Sequence, residues 1–207
     1  MGLHQAFPDA EIIGVDIRPQ PRYPFTFVQS DALEFDLNGF DFAWASPPCQ
    51  EHTSLRAVTH RIGPTLETHK DIIVPIRARF ERWGGPWIIE NVVGAPLRFS
   101  AQLCGMMFGL RTYRHRRFEA PFMLLAPPHL RHLLPTGAHR RIGGLSRKQS
   151  FEMGIAFASV TGNCGNYCGS KAMGIDWMLG RELAQAIPPA YSRYLAQFIP
   201  LPVERVA

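Results

Sequence analysis

The chain has 207 residues, 46% of them apolar, and a formal net charge of +5, enough for one domain, or one domain plus a small lobe, around a substantial core. No stretch approaches the roughly 18 uninterrupted apolar residues of a membrane span, and the amino terminus lacks a basic-then-apolar leader pattern, so a soluble intracellular protein is expected. Four cysteines, at 49, 104, 164 and 168, are too few and too irregular for a disulfide framework.

In chain order, residues 2–7 read as the tail of a helix. "EIIGVDI" (11–17), "FTFVQSDAL" (25–33) and "FDFAWAS" (40–46) are short apolar runs that suit buried parallel strands. "SPPCQ" (46–50) follows the third run. Proline has no ladder donor, so that strand stops near Ala45 and Cys49 lands on a stiff loop at its carboxyl end. Residues 64–83 carry Leu66, Ile72, Ile73, Ile76 and Phe80 at helical spacing, an amphipathic crossover helix. "PWIIENVVG" (86–94) is a fourth strand running into a glycine turn. Strand, connection, strand, helix, strand is the order of a doubly wound α/β sheet.

Past about residue 97, Arg, His, Pro and Gly dominate to about residue 150 and predict loops and short hairpins. From Gly180 the chain turns helical, with Pro188-Pro189 opening a last helix that runs through Phe198. Between Arg111 and Lys148 lie nine Lys/Arg, four histidines and a single acid, Glu119. Such a stretch suits a polyanion, nucleic acid before others. Cys164 and Cys168 could pair with His129 and His132 around zinc. A Gly-rich turn carrying two ordinary cysteines explains the spacing as well, and no metal is expected.

Asp16, Asp31 and Cys49 each follow a strand, and Glu90 and Asn91 end the fourth, so all five fall on one edge of the sheet. Ligands of open α/β sheets bind at that edge, where an acid after the second strand accepts from ribose hydroxyls.

"PPCQ" (47–50), "IENVVG" (89–94), "YRHRRF" (113–118), "AMGIDWM" (172–178) and "AIPPAYSRYLAQFI" (186–199) occur in the order of the signature motifs of DNA cytosine-5 methyltransferases, and the chain resembles the short, mostly phage-borne branch of that family. The resemblance implies a Rossmann-like, S-adenosylmethionine-dependent methyltransferase sheet that flips its target base. Cys49 would be the nucleophile that adds to cytosine carbon 6, a thiolate being suited to addition and later elimination. Glu90 would contact the Watson–Crick edge near nitrogen 3, and Asn91 would shape the loop. Arg116 would hold the cytosine carbonyl oxygen, and Arg114 would support the cysteine loop or a phosphate. For the cofactor, Asp16 would hold the ribose, Ile17 would pack on the adenine and Asp31 would accept from its amino group, with Ala32 and Pro48 alongside. Gln50, Arg131, Arg140, Arg141, Arg147 and Lys148 would contact DNA.

The implied organisation is a catalytic core over 1–119, a small basic target-recognition region over 120–170, and a helical segment over 171–207 that returns to the core. So short an insert implies a short or relaxed target sequence. The partner would be DNA, the protein a monomer without membrane contact, and its place the cytoplasm of a bacterium or phage-infected host.

The chain departs from the family at its start. "MGLHQAFPDA" resembles the helix that follows the family's opening strand and glycine-rich turn, and that strand and turn are absent. Either Met1 is an internal methionine or the gene is truncated. A chain that exists only as written is expected to bind S-adenosylmethionine weakly, since two strands lose their shared neighbour. Two other readings stay open: an inactive DNA-binding remnant, and the same chemistry on RNA or a cytosine nucleotide.

Overall fold

A computed structural model describes residues 1–49, 52, 71–136, 143–161 and 166–201, with only the backbone of 166 and 181. Gln50, Arg140, Arg141 and Cys164 lie outside the described residues. The chain is mixed α/β and divides into two units. A sheet unit comprises Ile12–Gln102, Arg116–Leu125 and Phe198–Ala207, and a helical unit comprises Met1–Glu11, Leu103–His115 and Ala126–Gln197.

In the sheet unit, β1 (Ile13–Asp16) pairs in parallel with β2 (Thr26–Gln29). A second sheet has the order β3-β4-β6-β5, formed by β3 (Ala43–Ala45), β4 (Trp87–Asn91), β5 (Ala101–Leu103) and β6 (Arg116–Glu119). β3 runs parallel to β4, and β6 antiparallel to it. At the last residue of β5 the chain passes into the helical unit.

Helix α2 (Ile73–Trp83) starts where an Asp71 carboxylate oxygen accepts from the Ile73 N–H at 3.0 Å. Pro75 sits in its first turn, where a missing N–H costs nothing. It ends at Gly84, whose φ of +79° needs a residue without a Cβ. Ile73, Ile76 and Phe80 bury against Ala43, Trp87 and Ile89 of the sheet. Side chains alternate along a strand. Trp87, Ile89 and Asn91 therefore share the α2 face of β4, and Ile88 and Glu90 take the other, where Trp44 meets Phe118 edge-on at 5.8 Å.

On the α2 face a buried ion pair locks helix to sheet. Arg77 donates from Nε and Nη2 to the two carboxylate oxygens of Glu119 at 2.6 and 2.8 Å, with the side chains only 4% and 5% exposed. The Arg98 N–H donates to the same carboxylate at 2.7 Å, and Arg77 also reaches the Pro96 carbonyl at 3.0 Å. The bond to Glu119 raises the Arg77 pKa above its ordinary value, against the opposing pull of burial.

The helical unit holds α1 (Gly2–Ala6), a 3-10 turn (Gly105–Phe108), α3 (Arg147–Glu152), α4 (Asn166–Met173), α5 (Gly180–Gln185) and α6 (Pro189–Ala196). Its core is Phe151, Val160, Ala172, Met173, Ile175 and Leu183, with Cys168 and Ala158 beside them. Ser146 caps α3 through a reciprocal pair with Gln149. Helix α1 lies against α6 so closely that a Cβ on Gly2 would sit 2.1 Å from the Pro189 carbonyl oxygen. Gly2→Ala is expected to cost about 1–3 kcal/mol, the range for overpacking. An unchanged midpoint in urea denaturation would rule out that close approach.

Four strands, the crossover helix and the last two helices fall where the sequence places them. Of the predicted helix over 64–83, residues 64–70 lie outside the described residues and the helix itself begins at Ile73, while α6 ends at Ala196, short of Phe198. Among the described residues β1 and β3 share no hydrogen-bonded neighbour, so the sheet comes as two separate pieces, as expected of strands without their common neighbour. Of the four predicted strands only β4 is buried throughout, since a two-stranded ribbon covers β1 and β2 only in part. The two compact units have bounds of their own: α1 and Leu103–His115 group with the later chain, where α1 packs on α6. Among the described residues no helix is long and apolar enough to cross a membrane.

Candidate active site

The carboxyl ends of β3 and β4 and the start of β6 meet at one edge of the four-stranded sheet. Ala45 pairs with Ile89, and Asn91 with Arg117, so the loop after Ala45, the end of β4 and Arg116 are neighbours by register. Glu90 and Arg116 face each other there, with Arg116 Nε 3.0 Å from a Glu90 carboxylate oxygen and side chains 7% and 14% exposed. Asn91 is bonded to the cysteine loop. Its amide donates to the Pro47 carbonyl at 3.0 Å, while its Oδ1 accepts from the Val92 N–H at 2.8 Å. Pro47 is buried, Pro48 and Cys49 are half-buried, and Cys49 is a free thiol.

Chemically, this edge offers one soft nucleophile beside a paired acceptor and donor. A carboxylate accepts from a ring or amino N–H, and a guanidinium donates to a carbonyl. No protein-family model, curated protein or solved structure matches this chain. The geometry of these side chains therefore carries the reading.

Two of the three arginines of "YRHRRF", Arg114 and Arg116, part company. Arg116 lies in the sheet unit and Arg114 in the helical one. Arg114 adopts φ +30° and donates to the carbonyls of Val160 (2.6 Å), Ala184 (2.7 Å) and Ala186 (2.5 and 3.0 Å). Its own carbonyl accepts from the Tyr191 hydroxyl at 2.8 Å. Its guanidinium thus ties Val160 to the chain at Ala184 and Ala186.

At the end of the smaller sheet, Asp16 accepts from the Arg18 N–H at 2.8 Å and from the Gln20 amide at 3.1 Å. The Ser30 N–H donates to the Asp16 carbonyl at 3.1 Å, which brings Asp31 beside it, and Asp31 closes its own turn by accepting from the Leu33 N–H at 2.8 Å. Ile17 is 65% exposed and Ala32 is also exposed, an apolar surface next to two carboxylates. Of the basic residues assigned to DNA, Arg131, Arg147 and Lys148 are exposed, and the Lys148 ammonium lies 4.5 Å from the centre of the Tyr167 ring.

The sequence reading missed a second constellation, in the helical unit. Cys104, His115, His129 and His132 converge so that one ligand atom of each lies within 4.8 Å of all the others. His115 Nε2 is 3.0 Å from His129 Nε2, and Cys104 Sγ is 3.5 Å from His132 Nε2. Burial holds the Cys104 thiol above its ordinary pKa, and desolvation followed by repulsion from His129 holds His132 below its own. The sequence set His129 and His132 with Cys164 and Cys168; the structure brings them beside Cys104, and Cys164 lies outside the described residues. Cys168 lies buried in the core on α4.

Proposed function

We propose that this chain is a DNA cytosine-5 methyltransferase, moving a methyl group from S-adenosylmethionine to carbon 5 of cytosine. The observation that carries the reading is the convergence of the Cys49 loop, Glu90 and Arg116 on one sheet edge, with the loop tethered through Asn91. In this reading the Cys49 thiolate adds to carbon 6 of a cytosine turned out of the duplex, and the displaced ring electrons make carbon 5 nucleophilic. Glu90 holds the nitrogen-3 edge and Arg116 the carbonyl oxygen, drawing density from carbon 6 and stabilising the charge that develops. S-adenosylmethionine, when bound, supplies the electrophilic methyl. Loss of the carbon-5 proton then expels Cys49 and restores the ring.

Asp16 and Asp31 as acceptors, with exposed Ile17 beside them, fit a ribose and an adenine face. Parallel pairing of β1 with β2 and of β3 with β4, with Asp16 and Glu90 at the carboxyl ends of β1 and β4 and Cys49 in the loop after β3, supports a Rossmann-like methyltransferase sheet. Exposed Arg131, Arg147 and Lys148 suit phosphate contacts.

A second reading, a protein that holds DNA without methylating it, is favoured by the split between β1 and β3. Label from methyl-labelled S-adenosylmethionine, offered duplex DNA, RNA and cytosine nucleotides in parallel, separates the readings. The methyltransferase reading expects label in duplex DNA, reduced about 10²–10³-fold by Glu90→Gln, the cost of removing one such stabilising contact. DNA binding with no label in any substrate would favour the second reading. Label confined to RNA or nucleotide would move the same chemistry to that substrate.

A further inference from the structure

We propose that Cys104, His115, His129 and His132 form a zinc site, closed by four protein ligands and structural in role. A tetrahedral zinc with Zn–N of about 2.0–2.1 Å and Zn–S of about 2.3 Å places its nitrogens roughly 3.3 Å from one another and its sulfur roughly 3.5 Å from each nitrogen. The 3.0 Å between His115 and His129 and the 3.5 Å between Cys104 and His132 lie close to those spacings. The three imidazoles crowd together, with centroids 4.9 to 5.2 Å apart. One thiolate and three imidazoles are a borderline-soft donor set that suits zinc, and a full complement of four leaves no position for a catalytic water.

The chain is shaped to deliver these ligands. The Gly105 N–H donates to the Tyr113 carbonyl at 2.8 Å, and a Cβ on Gly105 would lie 2.0 Å from the Thr112 carbonyl oxygen, so only glycine lets Cys104 approach the strand of chain that carries His115. Tyr113 stacks on the His132 ring at 3.6 Å and 11°, and its hydroxyl accepts from the Leu134 N–H at 3.1 Å, which fixes the ring beside Cys104. Supporting contacts of this kind orient metal-binding histidines. His129 and His132 belong to a stretch between β6 and α3 with no helix or strand among its described residues. Long irregular stretches in compact proteins need an anchor. The ion would pin this one to residues 104–115 within the helical unit.

The proposal does not depend on the methyltransferase reading. The chain, purified without chelator, is expected to retain about one zinc per molecule by elemental mass spectrometry. After exchange for cobalt it should show a thiolate-to-cobalt charge-transfer band. Cys104→Ser should abolish that band, and Cys104→Ser and His129→Gln should each weaken zinc binding at least tenfold, whereas Cys49→Ser should leave both readouts unchanged. If Cys104→Ser fails to fold, His129→Gln, at an exposed ligand, carries the test by zinc stoichiometry. A chain that neither retains zinc nor takes up cobalt would overturn the proposal. So would zinc retained at full stoichiometry and affinity in His129→Gln.

Discussion

If the chain methylates DNA as proposed, replacing Cys49 with serine is expected to lower methyl transfer by at least about 10³-fold, the scale on which enzymes lose rate when a covalent nucleophile is removed. Serine keeps the size of the side chain but is protonated at neutral pH and is far less nucleophilic than a thiolate. The loop itself should survive, because Pro47 and Asn91 hold it through backbone and amide atoms that the substitution leaves alone. Label transfer from methyl-labelled S-adenosylmethionine measures the loss, and circular dichroism confirms that the fold is kept. Transfer at the native rate by a folded Cys49→Ser chain would remove Cys49 from the chemistry.

The second large effect concerns stability. Arg77→Ala is expected to destabilise the sheet unit by about 3–5 kcal/mol, since it leaves the Glu119 carboxylate buried with its main partner gone. The loss is large because both side chains are almost fully excluded from water, unlike the exposed pair of Arg98 and Glu81, at 61% and 51%. Urea denaturation followed by the change in the circular dichroism of the sheet measures it. The pair Arg77→Met with Glu119→Leu should recover most of the loss, because it removes both buried charges together and refills the space. A loss below about 1 kcal/mol for Arg77→Ala would mean that water or another cation replaces the guanidinium.

What could be read from the sequence followed its local signals. Apolar runs closed by Gly, Pro or an acid marked β1 to β4, and two prolines marked the place of Cys49. What could not be read depends on partners far apart in the chain. Arg77 and Glu119 are 42 residues apart and Arg114 reaches carbonyls up to 72 residues away, separations no periodicity records. The Cys104–His cluster has no close cysteine pair to announce it; the nearer-looking spacing of Cys164 and Cys168 drew attention instead. Gly2 reads as an ordinary residue in the tail of a helix until α6, near the other end of the chain, lies against it. Glu119, singled out only as the lone acid in a basic stretch, turns out to be an anchor of the core.

The Asn91 amide has a consequence for the order of events during synthesis. Its acceptor, the Pro47 carbonyl, leaves the ribosome 44 residues earlier. The loop that carries Cys49 therefore has no partner for that carbonyl until residue 91 has emerged and β4 has paired with β3. The loop is tethered only once the sheet has closed, so a half-made chain carries Cys49 on a segment not yet held in place.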